Sequence, residues 1–331
     1  MSRIAITGAA GFLGAATVRA ARAAGHEVTA LVRDASRAPA GWAGDAGITV
    51  VARDLATAGA GDLRADLAGA GAVIHAAASM SGDDAAHEIN TIRPTRSLIA
   101  ALEGSEAGQG ARLVLVSSFS VYGFSGIPEG TVLTEDSPLE SRPAMRDAYA
   151  RAKLTQEALA RAAAGQGLAV RILRPGAIYG PGHLLSGQLG ILKGGKVICI
   201  GGAAQVPAIH VDHAAAALVA AATLPQAGTP EVFNLVDPDP PTQDEWIAAA
   251  GLRPLARLPL GLMTGVARIL AVSGRILPPL ARRIPTGLRP ETLAARYRPL
   301  RYDAARARDT LGLAPARGFA DSMAASREET R

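Results

Sequence analysis

Cysteine is almost missing from this chain, which has a single one, Cys199, among 331 residues. One cysteine excludes an internal disulfide framework and fits a reducing compartment, and a small buried hydrophobic residue is its simplest interpretation. Long apolar runs are missing too, so no segment is predicted to span a bilayer. A strand pattern already begins at Arg3, which leaves no signal peptide. We therefore expect a cytoplasmic protein, and we predict no metal site.

Aromatic residues and lysine are also scarce. Aromatics make up 4% of the chain, whereas its formal net charge is +5 and its sequence pI is about 9.8. A basic balance can serve nucleic acid or an acidic membrane surface. Because no nucleic-acid motif accompanies it, we exclude nucleic acid as a partner. Alanine and glycine abound within a hydrophobic fraction of 49%, which favours helices packed closely on a sheet, and the length allows one main domain plus a smaller one.

A glycine-rich turn lies near the start of the chain. A strand pattern from Ile4 to Thr7 runs directly into Gly8-Ala-Ala-Gly-Phe-Leu-Gly14, and a helix pattern follows up to Gly25. Glycines at this spacing let the backbone turn sharply and approach a pyrophosphate, while the helix N-terminus supplies N–H groups. The turn therefore predicts a dinucleotide site, contacted through Gly8, Gly11, Phe12, Leu13 and Gly14.

The end of the second strand, residues 26–32, bears on which dinucleotide is bound. NAD-binding turns usually place an acid there for the ribose hydroxyls, but this chain has Val32, followed by Arg33 and, nearby, Arg37. A guanidinium clamps a 2′-phosphate with paired hydrogen bonds. We predict NADP(H) as the cofactor. Asp34 argues for NAD(H), since a small backbone shift would bring it onto the ribose, and NAD(H) remains the alternative.

Further apolar strand patterns follow at residues 48–51, 72–75, 113–117, 169–173 and 232–235, with helix patterns between them. This alternation predicts an α/β fold with a doubly wound parallel Rossmann sheet. Ligands of such sheets lie beyond the carboxyl ends of the strands. There we expect further cofactor contacts from Asp54, Leu55, Ala76, Ala77 and Ala78.

Tyr149 and Lys153 are four residues apart in a helix pattern, so they lie on one helical face. A phenol titrates near ~10 in water, and an ammonium held close lowers that pKa toward neutral. We therefore predict a tyrosine that exchanges a proton with a substrate carbonyl or alcohol near pH 7. Ser118, at the end of the strand 113–117, can face the same crevice.

Together these motifs resemble the extended short-chain dehydrogenase/reductase family. The matching segments are Thr7–Gly14, Asp54-Leu55, His75–Ala77, Asn90, Ser117-Ser118, Val121–Gly123, Tyr149 with Lys153, Arg174-Pro175, Tyr179–Gly182, His210–Asp212 and Leu311-Gly312. The resemblance implies a Rossmann domain of residues 1–175 plus 209–236. It also implies a smaller, mostly helical substrate domain of residues 176–208 plus 237–331.

The same resemblance implies roles for single residues. Ser118 would hydrogen-bond the reacting oxygen, and Tyr149 would exchange the proton. Lys153 would hold the nicotinamide ribose and lower the pKa of the tyrosine, and Asn90 would support a water relay. Pro175 would contact the cofactor. The family also suggests a homodimer, paired through the helices that carry Asn90 and Tyr149.

Departures from the family pattern narrow the expected substrate. Phe119-Ser120 follow Ser118 where sugar-nucleotide dehydratases carry Asp-Glu, and Val206-Pro207-Ala208 stand where sugar-nucleotide enzymes tend to carry a diphosphate-binding arginine. The chain looks more like the branch that contains 3β-hydroxysteroid dehydrogenases and dihydroflavonol reductases. We predict an oxidoreductase that interconverts a ketone and a secondary alcohol on a fairly apolar small molecule. Its rivals are an NAD-dependent epimerase of a sugar nucleotide or related substrate and a non-catalytic dinucleotide-binding protein.

Residues 259–280 are apolar, with Arg268, Arg275 and Arg282 at a spacing of seven in and just beyond them. That spacing keeps the three arginines near one helix face. The simplest interpretation is a surface helix with a solvated cationic edge. The alternatives are peripheral contact with an acidic membrane and a lid over the substrate.

Overall fold

The apolar strand patterns form a seven-stranded parallel sheet. The computed structural model describes residues 2–103, 111–202, 204–226, 228–276, 286–314 and 317–330. The strands are β1 (Arg3–Thr7), β2 (Glu27–Val32), β3 (Ile48–Ala52), β4 (Ala72–His75), β5 (Arg112–Val116), β6 (Val132–Leu133), β7 (Val170–Pro175), β8 (Ala177–Tyr179), β9 (Ile191–Lys193), β10 (Lys196–Ile200), β11 (Ala208–His210), β12 (Glu231–Leu235), β13 (Arg253–Leu258) and β14 (Arg301–Tyr302). The central sheet has the order β12-β7-β5-β4-β1-β2-β3, so the strand order reverses beside β1.

Helices connect the strands of this sheet. They are α1 (Phe12–Ala23), α2 (Ala60–Asp66), α3 (Asp84–His87), α4 (Arg93–Glu103), α5 (Ala148–Gly165), α6 (Val211–Thr223), α7 (Gln243–Ala249), α8 (Leu260–Ile276), α9 (Pro290–Tyr297), α10 (Ala305–Leu311) and α11 (Phe319–Glu329). A π-helical turn, Glu88–Ile92, joins α3 to α4.

Helices cover both faces of the central sheet, which explains why its inner strands are apolar throughout. On one face, α1 and α6 pack over Ile4 and Ile6; on the other, α2, α4 and α5 pack over Ala5 and Leu113. The sheet is therefore the doubly wound Rossmann sheet that the sequence predicts, and its reversal point defines the crevice where ligands of such sheets bind.

The smaller region, residues 176–208 plus 237–330, contains short strands besides its helices. β9, β10 and β13 form a three-stranded sheet, β8 pairs with β11, and β6 pairs with β14. The five helices α7, α8, α9, α10 and α11 nevertheless make up most of the regular structure that is described for this region, as the sequence predicts. The strands are short and several pair across long stretches of chain, so local periodicity gives little sign of them. The proposed domain boundaries remain a prediction.

The C-terminal segment Phe319–Glu329 forms the helix α11 although its sequence is largely polar. α11 buries Phe319 and Met323 four residues apart, and both pack in one cluster with Tyr179 and Trp246. The apolar stripe of α11 is short and is interrupted by small polar residues that are also buried, among them Ser326. For that reason the sequence pattern is weak.

The helix α8 presents apolar side chains outward. Leu262 and Ile269 are 57% and 68% exposed, while Ala267 is buried against α9. Arg268 is exposed as expected, the side chain of Arg275 is not described, and Arg282 lies outside the described residues. Among the described residues no helix is both long and apolar enough to cross a membrane. Membrane contact and a lid role for this segment both remain predictions.

Candidate active site

The helix α5 carries Tyr149 and Lys153 to the end of the central sheet. Asp147 begins the helix by accepting a hydrogen bond from the Ala150 N–H at 2.9 Å. Lys153 is buried, and its ammonium donates to the carbonyl of Val116, the last residue of β5, at 2.8 Å. That ammonium lies 5.9 Å from the ring centroid of Tyr149. The predicted pair therefore lies at the carboxyl end of β5.

Ser118 joins the pair from the loop after β5. Its hydroxyl oxygen accepts from the Ser120 N–H at 3.1 Å, which starts a short 3-10 turn. The same side chain lies close enough to Tyr149 to lower the pKa of the phenol. The three side chains that the sequence analysis assigns to proton transfer are thus brought together, although they come from two separate segments of the chain. Such a group can place a proton on an oxygen bound between Ser118 and Tyr149.

The predicted lowering of the tyrosine pKa is wrong for this structure. Burial raises the pKa of Tyr149, and the Ser118 side chain only partly offsets this effect. Lys153 is itself desolvated, so burial lowers its pKa to about 8. Its N–H groups also point to Val116 and Gln156 rather than to the phenol oxygen. Tyr149 is therefore a protonated phenol at neutral pH, suited to act as a general acid.

A cavity of about 470 Å³ opens at the carboxyl edge of the sheet between the glycine turn and the ends of β2, β3 and β4. Of the predicted site residues it is lined by Gly8, Gly11, Arg33, Arg37, Leu55, Ala76, Ala77, Ala78 and Asn90. It is also lined by Ala10, Leu31, Val32, Asp34, Arg53, Ala56, Ser79 and Pro94. Leu31 and Val32 were not among the predicted cofactor contacts. They are the last two residues of β2, so their position at a strand end could have identified them.

The glycine turn is closed so tightly that side chains cannot replace its glycines. A Cβ on Gly14 would lie 2.1 Å from the carbonyl oxygen of Gly8. Gly8 has φ +67°, and a Cβ there would lie 2.9 Å from the backbone of Ala77. This cradle of bare backbone fits a dinucleotide, whose pyrophosphate needs close approach to N–H groups at a helix N-terminus.

Three other predicted cofactor residues, Phe12, Leu13 and Pro175, do not line the cavity and contact other parts of the protein. The ring of Phe12 stacks on His183 with centroids 3.9 Å apart, and the carbonyl of Leu13 accepts from the Thr17 hydroxyl. Pro175 is buried at the end of β7. Together with Gly14 these residues shape the turn and its surroundings, and direct contact with a cofactor remains a prediction for them.

Asn90 is hydrogen-bonded to Arg33 at the edge of the cavity. Its amide oxygen accepts from the Arg33 guanidinium at 3.1 Å, and its amide nitrogen donates to the Ala86 carbonyl at 2.9 Å. Arg33 also pairs with Asp54 at 3.6 Å. Asp54 is thus placed at the cavity edge through Arg33. The proposed water relay through Asn90 has no hydrogen bond to Tyr149 among the described contacts and remains a prediction.

Comparison with known proteins decides the family. The sequence model of the NAD dependent epimerase/dehydratase family matches residues 4–235. The chain belongs to this family. It is therefore an enzyme of the extended short-chain dehydrogenase/reductase type, as the motifs predict, and its family is NAD-dependent.

A curated relative, the 3-diazoavenalumate denitrifying reductase of a Streptomyces species, is 33% identical over 258 residues, which cover 74% of this chain and 79% of the relative. MoeE5 in complex with UDP-glucuronic acid and NAD is 24% identical with a TM-score of 0.71 over 99% of both chains. UDP-glucuronic acid 4-epimerase from Bacillus cereus in complex with NAD is 18% identical with a TM-score of 0.69 over 99% of this chain and 100% of that one. These two structures show the shared fold.

The family description and the 4-epimerase structure favour the epimerase alternative over the ketoreductase, and both solved structures hold NAD. The curated relative is named as a reductase. What the comparisons establish is the coarser statement, an enzyme of an NAD-dependent family on a Rossmann fold.

The sequence analysis missed two sets of buried polar side chains close to the candidate active site. One is the ion pair of Glu157 and Arg174, which carries two hydrogen bonds of 2.8 and 2.7 Å with both side chains 1% exposed. The other is a set of hydrogen bonds around His75 and Gln156. Arg174 belongs to one of the matching motifs. Gln156 and Glu157 follow Lys153 by three and four residues on the same helix, and this spacing could have indicated that they lie on the face of Lys153.

His75 makes stability depend on pH. Burial, with a smaller effect of Lys153, lowers the pKa of His75 to about 3 from its ordinary value near 6.5. The folded state therefore binds fewer protons than the unfolded state between these values, and the free energy of unfolding falls as pH falls. We expect His75 to contribute a slope of about 1.4 kcal/mol per pH unit.

Urea denaturation of the wild type and of His75→Gln between pH 7 and pH 4 measures this contribution. Carboxylates contribute to both slopes equally, so the difference isolates the imidazole. Equal slopes for the two proteins would show that His75 is not held neutral by burial.

Proposed function

We propose that this protein is an NADP(H)-dependent oxidoreductase that interconverts a ketone and a secondary alcohol on a fairly apolar small molecule. The observation that carries the proposal is the convergence of Ser118, Tyr149 and Lys153 at the carboxyl end of β5, where the Lys153 ammonium donates to the Val116 carbonyl 5.9 Å from the ring centroid of Tyr149. A phenol that keeps its proton at neutral pH suits protonation of a carbonyl oxygen, which is the reductive direction.

The roles of the three side chains follow from their chemistry. Ser118 orients the substrate oxygen by a hydrogen bond, and Tyr149 gives that oxygen its proton during reduction or removes it during oxidation. Lys153, below the tyrosine on α5, stabilises the phenolate that remains after proton donation. The nicotinamide, when bound, supplies or accepts the hydride. The protein contributes placement, charge and the exclusion of water.

The proposed substrate class is supported by the residues at the start of β11, where sugar-nucleotide enzymes tend to carry a diphosphate-binding arginine and this chain does not. Val206 and Ala208 are buried, and both pack in the core of the smaller region with Tyr179 and Trp246. This segment therefore offers no charge to a diphosphate. The curated relative named as a reductase points the same way.

We also propose, from the family resemblance, that two copies pair through α4 and α5.

Cofactor choice is proposed from the cavity walls. Arg33 and Arg37 line the cavity at the end of β2, where a 2′-phosphate would be recognised, and Val32 occupies the position of the usual acid. Asp34 lines the same wall, but its carboxylate accepts from the Ser36 N–H at 2.9 Å and so caps the next turn. Two guanidiniums near the phosphate position favour NADPH over NADH.

The double variant Arg33→Ala/Arg37→Ala should weaken NADPH binding about tenfold or more and NADH binding much less. The 2′-phosphate loses both guanidiniums, whereas NADH is affected only through the contacts of Arg33 with Asn90 and Asp54. Fluorescence titration with both cofactors measures this. Arg19→Ala is the matched control, since Arg19 is an exposed arginine of α1 that pairs with Asp212 of α6. A wild type that binds NADH more tightly than NADPH would contradict the preference.

The experiment that tests the function is a screen of apolar ketones with NADPH, followed by absorbance at the reduced-cofactor band and by product analysis. Stoichiometric loss of NADPH with formation of one alcohol is expected. The absence of turnover with every ketone and with the corresponding alcohols plus NADP⁺ would count against an oxidoreductase of this kind.

The second candidate is an epimerase of a sugar nucleotide, which the family description and the names of the similar structures favour. It uses the same serine, tyrosine and lysine with a cofactor that stays bound. Incubation with UDP-glucuronic acid would then yield a mixture of epimers with no net change in reduced cofactor. Tightly retained NAD in the purified protein would support this candidate over the first.

A further inference from the structure

A chain of buried hydrogen bonds runs from the catalytic lysine to the glycine turn. The Lys153 ammonium donates to Gln156 Oε1 at 2.9 Å, and Gln156 Nε2 donates to Thr95 Oγ1 at 2.6 Å. His75 Nε2 meets the same Thr95 oxygen at 3.0 Å, and His75 Nδ1 meets Thr7 Oγ1 at 2.8 Å. All five side chains are at most 3% exposed. The chain is therefore shielded from solvent along its whole length.

The direction of every hydrogen bond in this chain is determined. The Thr95 hydroxyl donates to the Thr91 carbonyl at 2.7 Å, because a carbonyl can only accept. The Thr95 oxygen must then accept from both Gln156 and His75. Since His75 stays neutral, its one N–H is on Nε2, and its Nδ1 accepts from the Thr7 hydroxyl.

The last step of the chain reaches the cofactor cavity. Thr7 Oγ1 accepts from the Ala77 N–H at 3.4 Å, and Ala77 is the backbone against which Gly8 closes. Both Gly8 and Ala77 line the cavity. The orientation of the lysine and the wall of the dinucleotide site therefore belong to one connected structure.

Only one orientation of the Gln156 amide satisfies this chain. A flipped amide would point its NH₂ at the Lys153 ammonium and its oxygen at a Thr95 oxygen that has no hydrogen to give. The correct orientation commits one N–H of the ammonium to Gln156, and the Val116 carbonyl commits a second. Tetrahedral geometry then fixes the direction of the third.

We propose that Gln156 is a positioning residue for Lys153. Thr95 fixes the Gln156 amide in the orientation that directs its oxygen to the Lys153 ammonium. His75 and Thr7 link Thr95 to the glycine turn by hydrogen bonds. The inference deepens the proposed function, since it concerns the same catalytic group, and it rests on that function only where turnover is the readout.

The lysine itself offers a readout that does not require activity. The chain has three lysines, at positions 153, 193 and 196, so a protein grown with ¹³Cε-labelled lysine gives a simple NMR spectrum, and Lys153→Arg assigns the signal of interest. Its pKa, about 8, depends on burial first and on the charge of Glu157 second. The other titratable groups that face it are Tyr149, His75 and His87.

Gln156→Met removes the acceptor with little change in volume. A buried ammonium that loses an acceptor loses protons more easily, so the NMR midpoint of Lys153 should fall by about one pH unit. In the active enzyme kcat should fall about tenfold, with its alkaline limb moved to lower pH and cofactor Kd nearly unchanged. A lower melting temperature with an unchanged midpoint and unchanged kcat would make the residue merely structural and overturn the proposal.

A pair of threonine variants tests the orientation of the amide and covers the case in which Gln156→Met does not fold. Thr95→Val should lower the midpoint and kcat in the same direction, and Thr95→Ser should restore both. Thr155→Val is the matched control, because Thr155 also donates to the carbonyl four residues earlier in its helix but lies outside the chain of hydrogen bonds. Equal effects of Thr95→Val and Thr155→Val would overturn the proposal. If no nicotinamide-dependent turnover exists, the proposed function fails, while the NMR midpoints still decide this inference.

Discussion

Tyr149→Phe lowers turnover by ~10²–10⁴-fold and leaves cofactor affinity within about twofold, because the substitution removes one proton donor and almost no packing. The phenol lies beside Ser118 and keeps its proton at neutral pH, since burial raises its pKa. Phenylalanine fills the same space but gives the substrate oxygen no proton. The loss should therefore appear in kcat and equally in kcat/KM.

Steady-state kinetics with the best ketone from the screen, together with cofactor titration, measures the effect. Tyr179→Phe is the matched control, since Tyr179 is a buried tyrosine in the core of the smaller region, packed against Trp246 and Phe319. The control should keep full turnover. Activity of Tyr149→Phe close to that of the wild type would exclude the tyrosine as the acid, in a reductase and in an epimerase alike.

The sequence predicted those parts of the molecule that depend on local rules. A strand followed at once by glycines and a helix has few alternative structures, and the φ of +67° at Gly8 shows why that residue is a glycine. Strands covered on both faces must be apolar, so β4 and β5 were visible as continuous runs. Because ligands gather at the carboxyl ends of such strands, the cavity residues Ala76 and Leu55 followed.

Electrostatics at the site was beyond the sequence. The spacing of Tyr149 and Lys153 is correct, yet it does not reveal how deeply each group is desolvated or where the ammonium points. The structure turns Lys153 toward the Val116 carbonyl, and burial then dominates the pKa of both side chains. Opposed effects of this size are decided by distances of a few ångströms, which residue spacing does not give.

Long-range pairing was equally hidden. β10 pairs with β13 more than fifty residues later, and Thr95 meets Gln156 from a different helix. Neither pairing leaves a periodic trace in one segment. Asn90 illustrates the same limit, because its partner Arg33 lies at the end of another strand. Polar residues whose partners are distant in sequence were thus the ones assigned by resemblance and not by geometry.

Arg174→Met costs ~3–5 kcal/mol of unfolding free energy, because it leaves the buried Glu157 carboxylate with only the Ser117 hydroxyl and the longer ion pair to Arg161 at 3.5 Å. Burial alone would raise the pKa of Glu157, and the hydrogen bonds from Arg174 and Ser117 hold it below its usual range. Once the guanidinium is gone, the carboxylate must either remain charged in a dry site or take up a proton. Both courses are unfavourable at neutral pH.

The double variant Glu157→Leu/Arg174→Met should recover most of the lost stability, since two apolar side chains of similar volume leave no uncompensated charge. Urea denaturation of the wild type, both single variants and the double variant gives the coupling energy of the pair. Arg19→Met, which breaks an exposed pair with Asp212, should cost only ~0–1 kcal/mol and serves as the control. Additive single effects would mean that the two charges are already screened by water, and then the site would be wetter than the 1% exposure of both side chains implies.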